Sequence, residues 1–241
     1  MQKLIDFHSH ILPGIDDGSQ SVSESLAMLQ AEAQQGVTHV VATPHFYAQS
    51  DSPRRFLSRR AAAMDELQSA VRGFEDLPQI CLGAEVHYFA GMSESEVLSD
   101  LTIGGSKYVL VEMPPAPWSD SMYRELEWLY REQGLVPVLA HIDRYMGRFF
   151  GGRLMQQLAK LPVLVQANAN FLISRSTQKQ ALKMLSSGQI HVLGSDCHNM
   201  TSRPPVLEHA ARVILQKMGP EDGMQLLQKM YAHECEILLE Q

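Results

Sequence analysis

The sequence predicts an α/β fold built on a parallel sheet, either a barrel or a doubly wound sheet, in one domain over residues 1–241. Short apolar runs alternate with amphipathic stretches along the whole chain, which is typical of repeated βα units. Runs such as 136–140 and 163–167 are almost continuously apolar, which indicates strands buried on both faces of a parallel sheet. No linker, repeat or low-complexity segment interrupts this pattern, and α/β barrels commonly reach this length undivided.

The predicted elements follow one another in strict order. Seven strands are predicted, at Lys3–Phe7, His39–Thr43, Ile80–Ala84, Tyr108–Glu112, Val136–Ala140, Val163–Ala167 and His191–Ser195. The first helix, 21–35, opens with Ser21 and Glu24 in the spacing of a capping box and ends before Gly36. Further helices are predicted at Arg54–Arg72, Ser121–Gln133, Thr177–Ser187, Pro205–Met218 and Glu221–Leu239.

Composition narrows the classes of function. The net charge of −7 disfavours a nucleic-acid surface, which needs clustered lysine and arginine. The three cysteines are widely spaced and odd in number, which fits a reducing compartment better than a disulfide framework. The N-terminal residues lack the apolar region of a signal peptide, and no apolar stretch reaches the length of a membrane span. We therefore expect a cytoplasmic protein without membrane insertion.

Metal-type side chains stand at the downstream ends of the predicted strands. His8 and His10 lie two residues apart on a strand, so their imidazoles point the same way, and a pair of aspartates follows closely. In βα barrels the chemistry lies where strands end and βα loops begin. The candidate ligands are His8, His10, one of Asp16 and Asp17, His45, Glu85, Glu112, His141, Asp196 and His198.

Imidazole and carboxylate ligands without thiolate suit Mn²⁺, Fe or Zn²⁺ rather than a structural cysteine-rich zinc site. Nine candidates exceed the needs of one ion, and a carboxylate such as Glu85 could bridge two ions about 3.5–4 Å apart, as in clusters that hydrolyse phosphoryl groups. Arg144 and Arg203 stand in loops beside this set, and an arginine fork binds phosphate oxygens bidentately. Together these residues predict cleavage of a phosphate ester. His87 has ligand-like spacing from Glu85 but no second observation in its favour.

A competing motif is the Cys-x5-Arg spacing of Cys197 and Arg203, which is the signature of cysteine-nucleophile tyrosine phosphatases. That phosphate loop normally contains glycine so that successive N–H groups can surround the anion. The residues between Cys197 and Arg203 include no glycine, and two prolines follow. The sequence therefore favours the metal chemistry over the thiol mechanism.

Several segments together resemble one known family, the bacterial protein-tyrosine phosphatases of the polymerase and histidinol phosphatase (PHP) superfamily that act in capsule and exopolysaccharide synthesis. The segments are residues 8–18 (HSHILPGIDDG), 42–45 (ATPH), 83–86 (GAEV) and 194–198 (GSDCH). The resemblance spans essentially the whole chain. It implies a distorted (β/α)7-type PHP barrel with its metal site at the carboxyl ends of the strands, in a single domain.

The resemblance also implies two or three metal ions, usually Mn²⁺, with Fe or Zn²⁺ as alternatives. By motif, His8, His10, Glu85 and Asp196 would hold one metal, Glu85, Glu112 and His141 a second, and Asp17, His45 and His198 a third. Asp17 is favoured over Asp16 because it precedes Gly18, the position that the family motif uses. Arg144 and Arg203 match the family's phosphate-binding and catalytic arginines. In one departure, Ile142 and Asp143 stand between the histidine and the arginine where the family has Pro-Glu.

The function implied is hydrolysis of phosphotyrosine on protein by in-line attack of a metal-activated water. The family's usual target is the tyrosine-rich tail of an autophosphorylating kinase that controls polysaccharide export. Two alternatives stay open from the sequence: a small-molecule phosphatase of histidinol-phosphate type, and a non-catalytic regulator that binds phosphotyrosine or the kinase. A metal-dependent nuclease is disfavoured by the negative net charge.

Overall fold

The computed structural model describes residues 2–115, 117–147 and 151–239. Its helices and strands are β1 (Leu4–Ser9), α1 (Val22–Gln34), β2 (Val37–Ala42), β3 (His45–Phe46), α2 (Pro53–Val71), β4 (Gln79–Leu82), β5 (Glu85–His87), β6 (Tyr108–Glu112), α3 (Asp120–Gln133), β7 (Val136–Leu139), α4 (Gly151–Leu158), β8 (Leu164–Asn168), α5 (Ala169–Ile173), α6 (Gln178–Ser186), β9 (Val192–Gly194), α7 (Leu207–Met218) and α8 (Pro220–Leu239). Short 3-10 turns lie at Met92–Glu94, Glu96–Leu101, Ile103–Gly105 and Ile142–Tyr145.

Every pairing between these strands is parallel, in two ladders. The first ladder has the order β1-β2-β4, and the second has the order β3-β5-β6-β7-β8-β9. The short strand β3 follows β2 after a break at 43–44, and β5 follows β4 after a break at 83–84. The seven predicted strands are therefore confirmed to within two residues at each end, while β3 and β5 were not predicted.

The first and last strands lie side by side and close the curled sheet. Ser9 forms a parallel bridge with Cys197, and the Asp196 N–H donates to the His8 carbonyl at 2.8 Å. Gly194 permits this approach, because a Cβ atom there would lie 2.5 Å from the Cβ of His8. The sheet is therefore the distorted α/β barrel that was predicted, and not a doubly wound sheet.

The helices cover the outside of the sheet. The side chain of Ser21 caps α1 by accepting the N–H of Glu24 at 3.2 Å, as predicted. Helix α7 begins at Leu207, two residues later than predicted, and Val206 before it has a non-helical backbone with φ of −142° and ψ of 20°. The short helices α4 and α5 were not predicted. Within the described ranges, no helix combines the length and apolarity needed to cross a membrane.

Two apolar regions hold the strands in place. A small region lines the inside of the barrel and includes Ile5, Phe7, Val41 and Leu110, all buried. A larger region lies between the sheet and the helices. Because both faces of the strands are packed, the strand ends are held rigidly, which suits a site built from side chains at those ends.

Candidate metal centre

All nine candidate ligands lie at one end of the barrel, because parallel strands bring their carboxyl ends to the same edge. His8, Glu85 and Glu112 lie in strands, His45 begins β3, and the remaining candidates follow a strand directly or stand in the next loop. They fall into three overlapping groups.

The first group joins the start and the end of the chain. The Nε2 atoms of His8 and His10 are 3.2 Å apart and lie 3.1 and 3.3 Å from Oε2 of Glu85. Oδ1 of Asp196 lies 3.6 and 3.5 Å from the same two nitrogens. All four side chains are buried.

The second group lies on the other side of Glu85. Nε2 of His141 is 2.7 Å from Oε1 of Glu85 and 3.3 Å from Oε1 of Glu112. Glu85 therefore presents one oxygen to each group, which is the arrangement of a bridging carboxylate.

The third group lies at the open side of the site. Oδ1 of Asp17 is 3.4 Å from Nε2 of His45 and 3.6 Å from Nε2 of His198. Ligand atoms of these three residues and of His10 lie within 4.8 Å of one another. Asp17 is 67% exposed, so this group is the most accessible to solvent.

Several side-chain atoms of the candidate ligands have no hydrogen-bond partner although they are buried. They include Oε2 of Glu85, Nδ1 of His45 and Nε2 of His198. The first two are 3.0 Å apart but lack hydrogen-bond geometry. Buried polar atoms without partners are costly in a folded protein. Cations at this position would satisfy them, so the donor set fits a metal cluster of mixed imidazole and carboxylate ligands.

The pKa shifts of the site residues also indicate that positive charge is stabilised there. Burial would raise the pKa of Glu85, but the nearby His8 charge and hydrogen bonds from His10 and His141 hold it well below its usual value. Burial would lower the pKa of His141, but hydrogen bonds to Glu112 and Glu85 raise it to about 9. The carboxylates therefore favour a proton on His141, and a metal ion that binds this ring would compete with that proton.

A polar network behind the ligands fixes the orientation of the histidine rings. Oε1 of Gln166 lies 3.3 Å from Nδ1 of His8 and also accepts the N–H of His141. Nε2 of Gln166 donates to Asn168, whose Nδ2 donates to Oδ2 of Asp196 at 3.0 Å. Such hydrogen bonds set the tautomer and angle of a ligating ring.

The two aspartates of the Asp-Asp-Gly motif have different positions. Oδ2 of Asp16 accepts from Nδ1 of His10 at 2.8 Å and from the N–H of His45 at 2.9 Å. Burial would raise the pKa of Asp16, but the hydrogen bond and charge of His10 lower it to about 2. Asp16 therefore supports the ring of His10 from behind, whereas Asp17 faces the ligand atoms of the third group. Asp17 therefore has the position that a ligand of the third group would need.

We expect Asp16→Asn to weaken metal binding by about 10–100-fold without removing a ligand, because the amide no longer holds the His10 ring as a carboxylate does. Mn²⁺ affinity measured by titration calorimetry checks this result. Asp76→Asn, at an exposed position, is the matched control. Equal affinity in Asp16→Asn and the wild-type protein would contradict the supporting role.

Two of the candidate ligands hold unusual backbone conformations. Among the residues that the structure describes, His141 and Asp196 are the non-glycine residues with positive φ, at 34° and 54°. Non-glycine residues adopt this region at a cost, and they do so preferentially at functional sites. After His141 the chain makes a 3-10 turn, and Oδ1 of Asp143 accepts the N–H of Asn168 at 3.0 Å. Asp143 departs from the family motif, but Arg144 next to it still reaches the candidate ligands.

Both candidate arginines converge on one carboxylate oxygen of the cluster. Oδ2 of Asp196 lies 2.7 Å from Nη2 of Arg144 and 2.8 Å from Nη2 of Arg203. Nη1 of Arg144 also donates to Oε1 of Glu112 at 3.2 Å. Their side chains are 42% and 38% exposed, so the arginines form a rim that an anion from solvent can reach.

Other residues near the site were not assigned from the sequence. His87, which the sequence left without a role, holds Glu112 through Nδ1 at 3.0 Å from Oε2. The ring of Tyr47 lies between the rings of His45 and His87, with centroids 5.3 and 5.4 Å away. Gln166 could have been found from the sequence, since it is a polar residue inside an apolar strand.

Cys197 does not face the candidate ligands. Its thiol is buried, and Sγ lies 3.9 Å from Oε1 of Glu32 on α1, next to Asp6. Burial and the neighbouring carboxyl groups of Asp6 and Glu32 raise the pKa of the thiol well above its usual value. A nucleophilic cysteine requires the opposite conditions, an accessible position and a lowered pKa.

Comparison with known proteins gives one family and several relatives. Residues 4–235 match the family described as capsular polysaccharide synthesis, CpsB/CapC. The tyrosine-protein phosphatase CpsB of Streptococcus agalactiae is 28% identical over 234 residues, covering 92% of this chain and 94% of that protein. The tyrosine-protein phosphatase YwqE of Bacillus subtilis is 27% identical over 244 residues, covering 98% and 91%.

The fold is also found among solved structures. A chain from the crystal structures of YwqE from Bacillus subtilis and CpsB from Streptococcus pneumoniae, described as unique metal-dependent tyrosine phosphatases, matches with a TM-score of 0.83. The match has 24% identity and covers 99% of this chain and 95% of that one. The two chains therefore share one architecture over nearly their whole length.

Proposed function

This chain belongs to the CpsB/CapC family of capsular polysaccharide synthesis, and on that premise we propose that it is a metal-dependent protein-tyrosine phosphatase. The observation that carries the proposal is the convergence of nine metal-type side chains with two arginines at one end of the barrel. The two relatives described above, CpsB and YwqE, match this chain over 92% and 98% of its length and are named tyrosine-protein phosphatases. Their names support the same chemistry for this chain.

The three groups provide a place for two or three ions. His8, His10, Glu85 and Asp196 would hold one ion, Glu85, Glu112 and His141 a second, and Asp17, His45 and His198 a third. Imidazole and carboxylate donors suit Mn²⁺, with Fe and Zn²⁺ as alternatives. When bound, the ions supply a water activated at neutral pH and positive charge for the phosphoryl oxygens.

The protein's own residues bind and orient the phosphate. Arg144 and Arg203 both contact Oδ2 of Asp196, which holds their guanidinium groups in place. From these positions they can donate to non-bridging oxygens of a phosphate bound beside Asp196. The phenolate that leaves has a parent pKa of about 10, so the departing oxygen needs little help from a general acid. Glu85 and most of the histidines around it are buried, so charges held there would act on the phosphate with little screening by water.

The substrate proposed is a phosphotyrosine protein, and specifically the tyrosine-rich tail of a kinase that regulates capsule or exopolysaccharide synthesis. The proposal includes the cytoplasm as the location, in keeping with three cysteines that are all free in the structure. It also treats residues 1–241 as one phosphatase domain.

The first experiment measures hydrolysis of a phosphotyrosine peptide by metal-stripped protein, before and after addition of Mn²⁺, Fe²⁺ or Zn²⁺. The same assay is run on Cys197→Ala. We expect no activity without metal, recovery with Mn²⁺, and unchanged activity in the cysteine variant.

Activity that survives chelation and disappears in Cys197→Ala would overturn the proposal in favour of a thiol mechanism. Turnover of histidinol phosphate but not of the peptide would identify a small-molecule phosphatase instead. Metal binding without turnover of any phosphoester would indicate a regulator that only binds.

A further inference from the structure

A cavity of about 280 Å³ opens beside the metal centre, next to Arg144. Its walls include the rings of Trp118, Tyr123 and Tyr145, and Arg153 from α4 stands at its edge. A cavity of about 150 Å³ is large enough for a benzene ring. This cavity therefore has room for one aromatic side chain and part of the chain that carries it.

Two of the aromatic walls, Trp118 and Tyr145, are held in place by their polar ends. The Tyr145 hydroxyl donates to the carbonyl of Met113 at 2.7 Å, and Nε1 of Trp118 donates to the carbonyl of Pro114 at 3.2 Å. The rings of Trp118 and Tyr145 meet edge to face with centroids 5.2 Å apart. Walls fixed in this way do not have to be ordered when a ligand enters, which favours binding.

Arg144 connects the cavity to the metal centre. It lines the cavity and also contacts Oδ2 of Asp196 and Oε1 of Glu112. The ring of Tyr145, the next residue, lies 5.9 Å from the ring of His141. A phosphate held by Arg144 at the cluster would therefore have its organic group at the mouth of this cavity.

The charge of the lining distinguishes between kinds of organic group. The described residues that line the cavity include two arginines and no aspartate or glutamate. An amine such as that of histidinol phosphate would find no carboxylate partner among these lining residues. An uncharged aromatic ring can stack on the walls, and acidic residues beside it would be attracted to Arg153.

We propose that this cavity, formed by Trp118, Tyr123, Tyr145 and the two arginines, receives the phosphotyrosyl ring of the substrate and selects aryl phosphates over alkyl phosphates. This inference rests on the proposed function and adds the residues that give it tyrosine specificity. Trp118 and Tyr123 act in specificity and not in bond cleavage. Arg153 favours acidic residues next to the tyrosine.

The test compares kcat/KM for a phosphotyrosine peptide and a phosphoserine peptide of the same sequence in the Mn²⁺-loaded protein. We expect Trp118→Ala and Tyr123→Leu to lower kcat/KM for the phosphotyrosine peptide about five- to tenfold, mainly through KM, and to leave the phosphoserine value nearly unchanged. Trp128→Ala is the matched control, since Trp128 is 41% exposed on α3 and lines a separate cavity. Arg153→Gln should lose affinity for acidic peptides only.

A second measurement separates this inference from the proposed function. Binding of a peptide with a non-hydrolysable phosphonate analogue of phosphotyrosine is measured by calorimetry in the wild-type protein, Trp118→Ala and Trp128→Ala. Weaker binding in Trp118→Ala alone supports the cavity even if the protein turns over no substrate. The other outcome is that the protein hydrolyses phosphotyrosine and that Trp118→Ala and Trp128→Ala have equal affinity and equal kcat/KM. This result would overturn the proposed role of the cavity, and the proposed phosphatase activity would stand.

Discussion

Replacing Glu85 with glutamine is expected to abolish metal-dependent phosphatase activity, with kcat reduced on the order of 10³-fold or more. Glu85 lies within 3.3 Å of ring nitrogens of His8, His10 and His141, and one of its oxygens faces each of two ligand groups. An amide of the same shape carries no negative charge and offers one acceptor oxygen instead of two. Both ion positions that share Glu85 should therefore weaken together.

Metal content by mass spectrometry and kcat with saturating Mn²⁺ check this prediction. Circular dichroism shows whether Glu85→Gln still folds, and Glu94→Gln, at an exposed position outside the site, is the matched control. A Glu85→Gln protein that retains the wild-type number of ions and the wild-type kcat would show that Glu85 is not a shared ligand.

Replacing Arg144 with alanine is expected to lower kcat/KM about 10²–10³-fold while the metals stay bound. The guanidinium of Arg144 reaches Asp196 and Glu112 with two different nitrogens, so it can also contact two oxygens of a phosphate. Loss of this cation removes repulsion toward bound metal ions, so the affinity for Mn²⁺ should stay equal or increase. Arg144→Lys should recover only part of the activity, because a lysine cannot reproduce the planar fork.

Steady-state kinetics and Mn²⁺ titration of the same preparations distinguish loss of phosphate binding from loss of metal. The matched control is Arg212→Ala, which removes an arginine that pairs with Glu208 on the surface of α7. If Arg144→Ala loses its metals together with its activity, Arg144 supports the cluster and does not bind the substrate.

The fold could be predicted well because its signals are local. Apolar runs of four to six residues separated by capped helices specify strands of a parallel sheet, and all seven runs are strands in the structure. The breaks at 43–44 and 83–84 could not be predicted in this way. They depend on how β2 and β4 curve as the sheet closes, and β3 and β5 are too short to give a periodic pattern.

The candidate ligands were predicted because metal chemistry requires uncommon residue types at strand ends, such as a glutamate directly after Leu82-Gly83-Ala84. The structure brings these side chains together at one end of the barrel, and their role as ligands stays a prediction. The different positions of Asp16 and Asp17 could not be derived from the residues alone, since the two carboxylates are adjacent. Their separation depends on the loop that turns Asp16 toward Nδ1 of His10. The cavity beside Arg144 was not predicted either, because Trp118 and Tyr145 are 27 residues apart along the chain and meet only in the folded protein.

The burial of Cys197 has a consequence for how such an enzyme would respond to oxidants. Phosphatases that use a cysteine nucleophile are silenced when peroxide converts the exposed thiolate to sulfenic acid. Here the thiol is enclosed between β9 and α1, is kept protonated by its surroundings, and is not part of the proposed chemistry. Peroxide therefore has no thiolate nucleophile to oxidise in the proposed chemistry, so the route that switches off thiol-dependent phosphatases is closed in this chain.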